Sequence, residues 1–410
     1  MSVKGHSGAT AHTEPPPRRA LLCAYAAGLS TNAISMMLRV AVPLWALQLQ
    51  MPPSLIGLAM GAGGVLPFIF AIHGGVLMDR FGTRRVNTLL AALATVVIVL
   101  YPIMPWASAV IALQLLSGLS MNMGWMGAQT LIVQIAPGNT TVISRFTIAS
   151  HVGNLVSPVM TGFIWDTFGA WTTFMTIAIC SFGAWIAFYA SPPTRTDLDG
   201  EGSKANVRNI LPRWSEYRAA FAMMAIPAVA FIGVITFVRI AGSSVQGSFY
   251  VVLLENIGIS GTVIGVLIGV AEGCGMFGAS IAGWVEAKLK PHWTLILFHG
   301  LAVFAVCITP FLGGLLPLLF VAATLRGTTQ GLSQPVMFAV LSRAVDPTEQ
   351  GRSIGLRSTI NRFANMIVPP AMGLIAEAAG LATSFAVVGG ILIALCVGLA
   401  LVVRRVPAFR

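Results

Sequence analysis

The chain has 410 residues, 56% of them hydrophobic and only 9% charged, with a mean hydropathy of +0.84 and a net charge of +11. A soluble domain carries about 25% charged residues, so this composition excludes a soluble globular fold. The basic balance does not indicate nucleic acid either, because nearly every Lys and Arg sits in a short gap between apolar runs and not on one basic face.

Residues 1–19 are polar and end in Pro15-Pro16-Pro17-Arg18-Arg19. The apolar run from Ala20 to about Leu49 is too long for a signal-peptide core and reads as a first membrane span behind a basic tail. Eleven further runs, each long enough to cross a bilayer, follow at about 54–78, 86–104, 107–135, 143–165, 170–190, 219–254, 262–285, 292–312, 315–342, 353–376 and 381–403. Several exceed the minimum length, so tilted or broken helices are expected. Residues 191–218 differ from their surroundings: they are polar, mixed in charge and rich in Pro and Gly, as a flexible linker is. The chain thus divides into a tail (1–19), a first six-helix unit (20–190), a central linker (191–218), a second six-helix unit (219–403) and a short tail (404–410).

Positive charge orients the spans. The gaps on the side of the termini hold Arg80, Arg84 and Arg85, then Arg145, then Arg195 to Arg218, then Lys288 and Lys290, then Arg343 and Arg352. The opposite gaps hold no Lys or Arg, only Asp166, Glu255 and Glu377 at helix ends. The positive-inside rule then places both termini in the cytoplasm of a cell bounded by an inner membrane. The five cysteines are scattered through apolar runs with no Cys/His cluster, so neither a metal, a cofactor nor a disulfide framework is expected.

The halves repeat each other. Ile56, Gly57, Gly61 and Gly75 match Ile264, Gly265, Gly269 and Gly283 at a shift of 208 residues. Asn154, Pro158, Gly162, Asp166, Gly169 and Phe174 match Asn365, Pro369, Gly373, Glu377, Gly380 and Phe385 at a shift of 211. The fold class that follows is an all-α membrane protein of twelve transmembrane helices in two pseudo-symmetric six-helix bundles.

The stretch Gly75-Val-Leu77-Met-Asp79-Arg80-Phe-Gly82-Thr-Arg84-Arg85 has the spacing G-x-L-x-D-R-x-G-x-R-R. It resembles the cytoplasmic signature between the second and third helices of the major facilitator superfamily. The resemblance implies two bundles rocking about a central site, and a conformational latch of Gly75, Asp79, Arg80, Gly82 and Arg84. The aspartate would engage the start of the eleventh helix near Ser353. The plainer reading, topology setting alone, stays open for Arg84 and Arg85. The second copy, Gly283 to Lys288, has Ala287 where the aspartate would stand.

The fifth helix carries Gly153, Pro158 and Gly162 and resembles the Gly-Pro motif of the family's drug:proton antiporter branch, which implies export by antiport. Proline bends a helix and small residues let helices pack closely. A generic kinked packing helix would look the same. The fourth helix departs from that branch, with Gln114 four residues before Gly118 where an arginine is common.

Ionisable groups within the spans mark the site, since an unpaired charge in hydrocarbon is costly. They are Arg39, Arg239, Glu272, Arg326 and Arg362. The family's helices 1, 4, 7 and 10 line the cavity, which makes Arg39, Arg239 and Arg326 candidate substrate residues. Gln114, Gln246, Gln330 and Asn32 are expected to orient the cargo, and Trp125 to offer an apolar wall. Glu272 lies ~15 Å from its helix end, near mid-bilayer, and leads as proton carrier with His151 second. Arginines outnumber carboxylates there, which favours an anionic or zwitterionic small molecule.

Two functions follow. One is a proton-coupled exporter of small organic compounds working by alternating access; the other is an organic-anion carrier, by proton symport or anion exchange. No catalytic triad, HExxH motif or paired intramembrane aspartates is present, so an enzyme is not expected. The expected partners are substrate, protons and lipid, without nucleic acid, and the expected state is a monomer.

Overall fold

The computed structural model describes residues 17–70, 73–137, 139–193, 222–344 and 350–405. The expected amino-terminal tail up to residue 16, the linker beyond residue 193 and the tail beyond residue 405 lie outside the described residues.

Backbone polar groups in lipid must be satisfied within their own segment, and helices do this. Among the described residues the helices form twelve spans: α1 (Arg18–Gln48), α2 (Pro53–Ile69, resumed at His73–Phe81), α3 (Thr83–Ile103), α4 (Ala107–Ile135), α5 (140–168), α6 (170–190), α7 (Pro227–Asn256), α8 (Gly261–Glu286), α9 (Pro291–Cys307), α10 (Leu316–Ala344), α11 (Gln350–Ala379) and α12 (Leu381–Arg405). α5 and α6 are the arms of one 51-residue run that breaks at Gly169, whose φ of 77° turns the chain back.

The second and seventh spans depart most from their expected courses. The second span breaks at Phe70 and then runs on to Phe81, so the signature stretch is mostly helix and the turn is Gly82 alone, at φ 87°. Glycine adopts that left-handed value at little cost, which accounts for the residue there. α7 starts at Pro227, after a tight turn at Met223–Ala225, because proline has no N–H to give and favours the first turn of a helix. Near its far end α7 widens into a π-helical turn over Gln246–Tyr250.

Side-chain contacts fix which helix ends lie together. The Tyr25 hydroxyl reaches the Val142 carbonyl, Arg84 donates to the Tyr189 carbonyl, and the Arg404 guanidinium lies over the Trp293 ring. The starts of α1, α3, α5 and α9 and the ends of α6 and α12 therefore share one face, the termini face. Arg84, Arg85, Arg145, Lys288, Lys290, Arg404 and Arg405 all belong to it. At the opposite face Asp166 meets Gly261, and Glu377 meets Ser54.

Large apolar side chains such as Leu89, Ile179, Phe277 and Val321 point outward and are more than 60% exposed, a surface suited to lipid. Inside the first bundle Phe174 stacks on Tyr101 at 5.1 Å and meets Trp45 edge-on at 5.9 Å. The Tyr101 hydroxyl is satisfied by Ser117 at 3.3 Å.

Candidate functional site: a central cavity between two bundles

The bundles are joined at the face opposite the termini by two crossings. α2 lies against α11, and α5 against α8. Both are built from the repeat positions. A Cβ on Gly265 would run into the Pro158 carbonyl, and a Cβ on Gly57 would run into the Pro369 carbonyl. Lipid gives helices no hydrophobic reason to associate, so close backbone approach at small residues supplies the contact. Gly162 and Pro158 of the expected antiporter motif sit in the α5–α8 crossing, and Gly153 packs α5 on α1 beside Leu29 and Ala33.

Each crossing ends in an acid on a helix amino terminus. Asp166 accepts from the Gly261 N–H (2.9 Å), the Thr262 N–H (2.7 Å) and the Thr262 hydroxyl (2.6 Å). Glu377 accepts from the Ser54 N–H at 3.0 Å. The first turn of a helix has unpaired N–H groups and a partial positive charge, and a carboxylate satisfies both. Here the cap comes from the other bundle, so it exists only while this face is shut.

Beneath the crossings lies a central cavity of about 180 Å³. Its charged lining is Arg39 from α1 and Arg362 from α11, with no carboxylate among the described residues. Gln114, Asn122 and Asn365 supply amides, Ser243, Ser244 and Ser248 hydroxyls, and Met60 and Met121 apolar surface. Arg362 donates to the Asn122 side chain in a short contact, and the Ser244 hydroxyl donates to Asn365 at 2.6 Å. The wide turn of α7 brings Gly247 into the lining, and the Arg39 guanidinium lies across it.

A second cavity, of about 330 Å³, opens between α5, α8 and α10. It brings together the two expected proton carriers, Glu272 and His151, with Arg326, Gln330 and Gln334. The charge of Glu272 acts on both Arg39 and Arg326. The two cavities are linked by hydrogen bonds. Arg326 donates to the side-chain Oε1 of Gln330 (3.2 Å), and Gln330 Nε2 donates to the Ser243 hydroxyl (2.9 Å) in the central cavity.

Several expected residues stand elsewhere. Arg239 faces the interior of the second bundle beside His299 and not the central cavity. Trp125 stacks on Phe146 within the first bundle at 5.9 Å. Asn32 gives its amide to the Gly28 carbonyl (3.2 Å), and Gln246 is buried in the π-helical turn. Of the expected latch, the surroundings of Gly75 and the side chain of Asp79 lie outside the described residues. Arg84 bonds to α6 of its own bundle, and one Arg80 guanidinium nitrogen is buried without a partner.

Sequence reasoning missed Asn122 and the cross-bundle role of Asp166 and Glu377. The signal for the acids was present, since Asp166 and Glu377 are repeat mates and so are their targets Thr262 and Ser54.

The fold is shared with solved transporters. A variant of the nucleoside transporter NupG matches with a TM-score of 0.77 at 11% identity, over 93% of this chain and 99% of that one. A bacterial homolog of the human lysosomal transporter Spinster, solved inward-facing and unoccupied, matches with a TM-score of 0.70 at 14% identity, over 94% and 95%. A POT family transporter in complex with 5-aminolevulinic acid matches with a TM-score of 0.68 at 13% identity, over 94% and 96%. No curated protein matches the chain by sequence. The Major Facilitator Superfamily profile matches residues 23–238 and 232–410, nearly the whole length. With the paired crossings and the cavity between two six-helix bundles, this makes the chain a membrane transporter of the Major Facilitator Superfamily.

Proposed function

We propose that this transporter carries small organic anions and that protonation of Glu272 is coupled to anion binding. The observation that carries this reading is the division of charge between the cavities. The central cavity offers Arg39 and Arg362 with no acid in its lining, and Glu272 stands in the neighbouring one, acting on Arg39.

The coupling has a definite sign. While Glu272 is ionised, part of the field of Arg39 is spent on it. Adding a proton frees that field for the anion, so proton and anion bind better together than apart. By linkage the anion must favour protonation to the same degree. That sign is the one for proton symport, the second of the two expected functions. Export against protons would need the opposite sign. His151, in the same cavity, offers a proton route toward the termini face.

In this reading the termini lie in the cytoplasm of a cell with an inner membrane, as the placement of arginines favours. The shut face is then external, and the rocking of 20–190 against 219–403 exposes the cavity alternately. Asp79 serves as a cytoplasmic latch when the other face closes. In this reading the chain works as a monomer.

The test is flux in proteoliposomes. An acidic exterior should drive uptake of a carboxylate or sulfonate substrate, with protons moving the same way. Efflux driven by an inward proton gradient would overturn symport and restore the exporter reading. Gradient-independent exchange of two anions would overturn proton coupling.

A further inference from the structure

Within the second bundle, between α7, α9 and α10, lies a small crevice bordered by Arg239, His299, Arg326 and Gln330. It is separate from the central cavity. Arg326 is only 5% exposed and one of its terminal nitrogens, Nη1, is buried without a hydrogen-bond partner. Nε of Arg239 is likewise buried and unpartnered. His299 is 1% exposed, with Nδ1 2.8 Å from the Leu295 carbonyl and Nε2 3.4 Å from the Ser333 hydroxyl.

The electrostatics here are one-sided. The charge of Arg357 acts on Arg239, and the charge of Arg239 acts on His299. Among the described residues no carboxylate borders the crevice. Glu272 acts on Arg326, but from the cavity on its other side, and it is shared with Arg39. Buried charges are ordinarily paired, and an unpaired one costs several kcal/mol in a low-dielectric interior. On the crevice side, two guanidiniums therefore keep buried N–H groups with no negative partner among the described residues.

We propose that this crevice binds a small monovalent anion of halide size, held by Arg239 and Arg326. Size restricts the class. The crevice is about 10 Å³, room for one water-sized particle. A halide fits with slight relaxation, whereas an organic carboxylate does not. Arg326 and Gln330 also line the larger cavity of Glu272, so the ion has a way in past that pair. The site does not depend on what the transporter carries, because none of the substrate groups of the central cavity borders it.

The test compares thermal unfolding of the purified protein in chloride, bromide and gluconate at equal ionic strength. Gluconate is too large for the crevice. A bound anion stabilises the folded state by mass action, so the Tm should fall by at least about 2 °C in gluconate. Arg239→Gln should abolish the difference between the salts. Because that variant could fail to fold, crystals of the unaltered protein grown in bromide give an independent readout, an anomalous peak in contact with Arg239 Nε and Arg326 Nη1. Equal Tm in all three salts, or bromide density elsewhere and none in the crevice, would overturn the proposal.

Discussion

Arg39 lies across Gly247, and the two are repeat mates. The shift of 208 residues that relates α1 to α7 carries one onto the other, and the guanidinium Nη1 stands 3.5 Å from where a Cβ on Gly247 would sit. One half of the repeat holds the charge and the other has given up its side chain to make room for it. The substrate site is thus asymmetric at its centre, although the gate above it is symmetric.

Replacement of Gly247 follows a size rule. Ala adds an ordinary contact at 3.5 Å and should be tolerated. Val adds branches that displace the guanidinium, and should weaken anion binding on the order of tenfold, about 1.4 kcal/mol. Substrate titrations of the two variants, with Tm as a control for folding, check this. Equal affinity for Gly247→Val and the native protein would remove Arg39 from the binding site.

The caps at the shut face should control the conformational balance. Asp166→Ala removes three hydrogen bonds to the start of α8 that exist only across the bundles. Loss of a helix cap costs about 1 kcal/mol, a shift of roughly fivefold toward the state open at this face. Spin labels at Phe168 and Ile257, on either side of the crossing, should report a larger fraction of long distances. Glu377→Ala, which takes away the carboxylate that both the N–H and the side chain of Ser54 engage, should act in the same direction.

Bulk at the crossings should do the reverse of locking them. Gly265→Val would drive a side chain into the Pro158 carbonyl, and Gly57→Val into that of Pro369. Neither backbone can yield without separating the helices, so both variants should be held out of the shut state and lose transport while keeping their helical content. Cysteine accessibility from the two sides of the membrane distinguishes such trapping from unfolding.

Arg362 and Asn122 join α11 to α4 across the central cavity. A double-mutant cycle with Arg362→Gln and Asn122→Ala should give a coupling of about 1 kcal/mol in stability. A coupling near zero would mean that the pair forms no energetic link between the bundles.

The sequence carried the architecture and the composition of the site further than its geometry. Apolar run length and the placement of arginines gave the twelve spans, because lipid imposes both. The repeat marked Pro158, Gly162, Pro369 and Gly373 as special, and each proves to touch the partner bundle. What was not legible was rotation about helix axes. Arg239 and Arg39 both lie on helices expected to line the cavity, yet only one turns toward it. The π-helical turn that brings Gly247 beneath Arg39 was not legible either, since the small and polar residues around it, Gly242 to Ser248, fit an ordinary helical turn as well as a widened one. Trp125 was misplaced for a similar reason, because an aromatic ring on a helix packs as well on a neighbour as on a ligand.

The central claim is that a proton on Glu272 and an anion beside Arg39 favour each other. The most direct measurement is the affinity of the native protein and of Glu272→Gln, across pH, for the most stabilising anion in a thermal-shift screen of carboxylates and sulfonates. The native protein should bind more tightly as pH falls, and Glu272→Gln, which carries no negative charge, should bind with the low-pH affinity at every pH. Native affinity that is constant or weaker at low pH, or a Glu272→Gln variant that keeps the native pH dependence, would contradict the account.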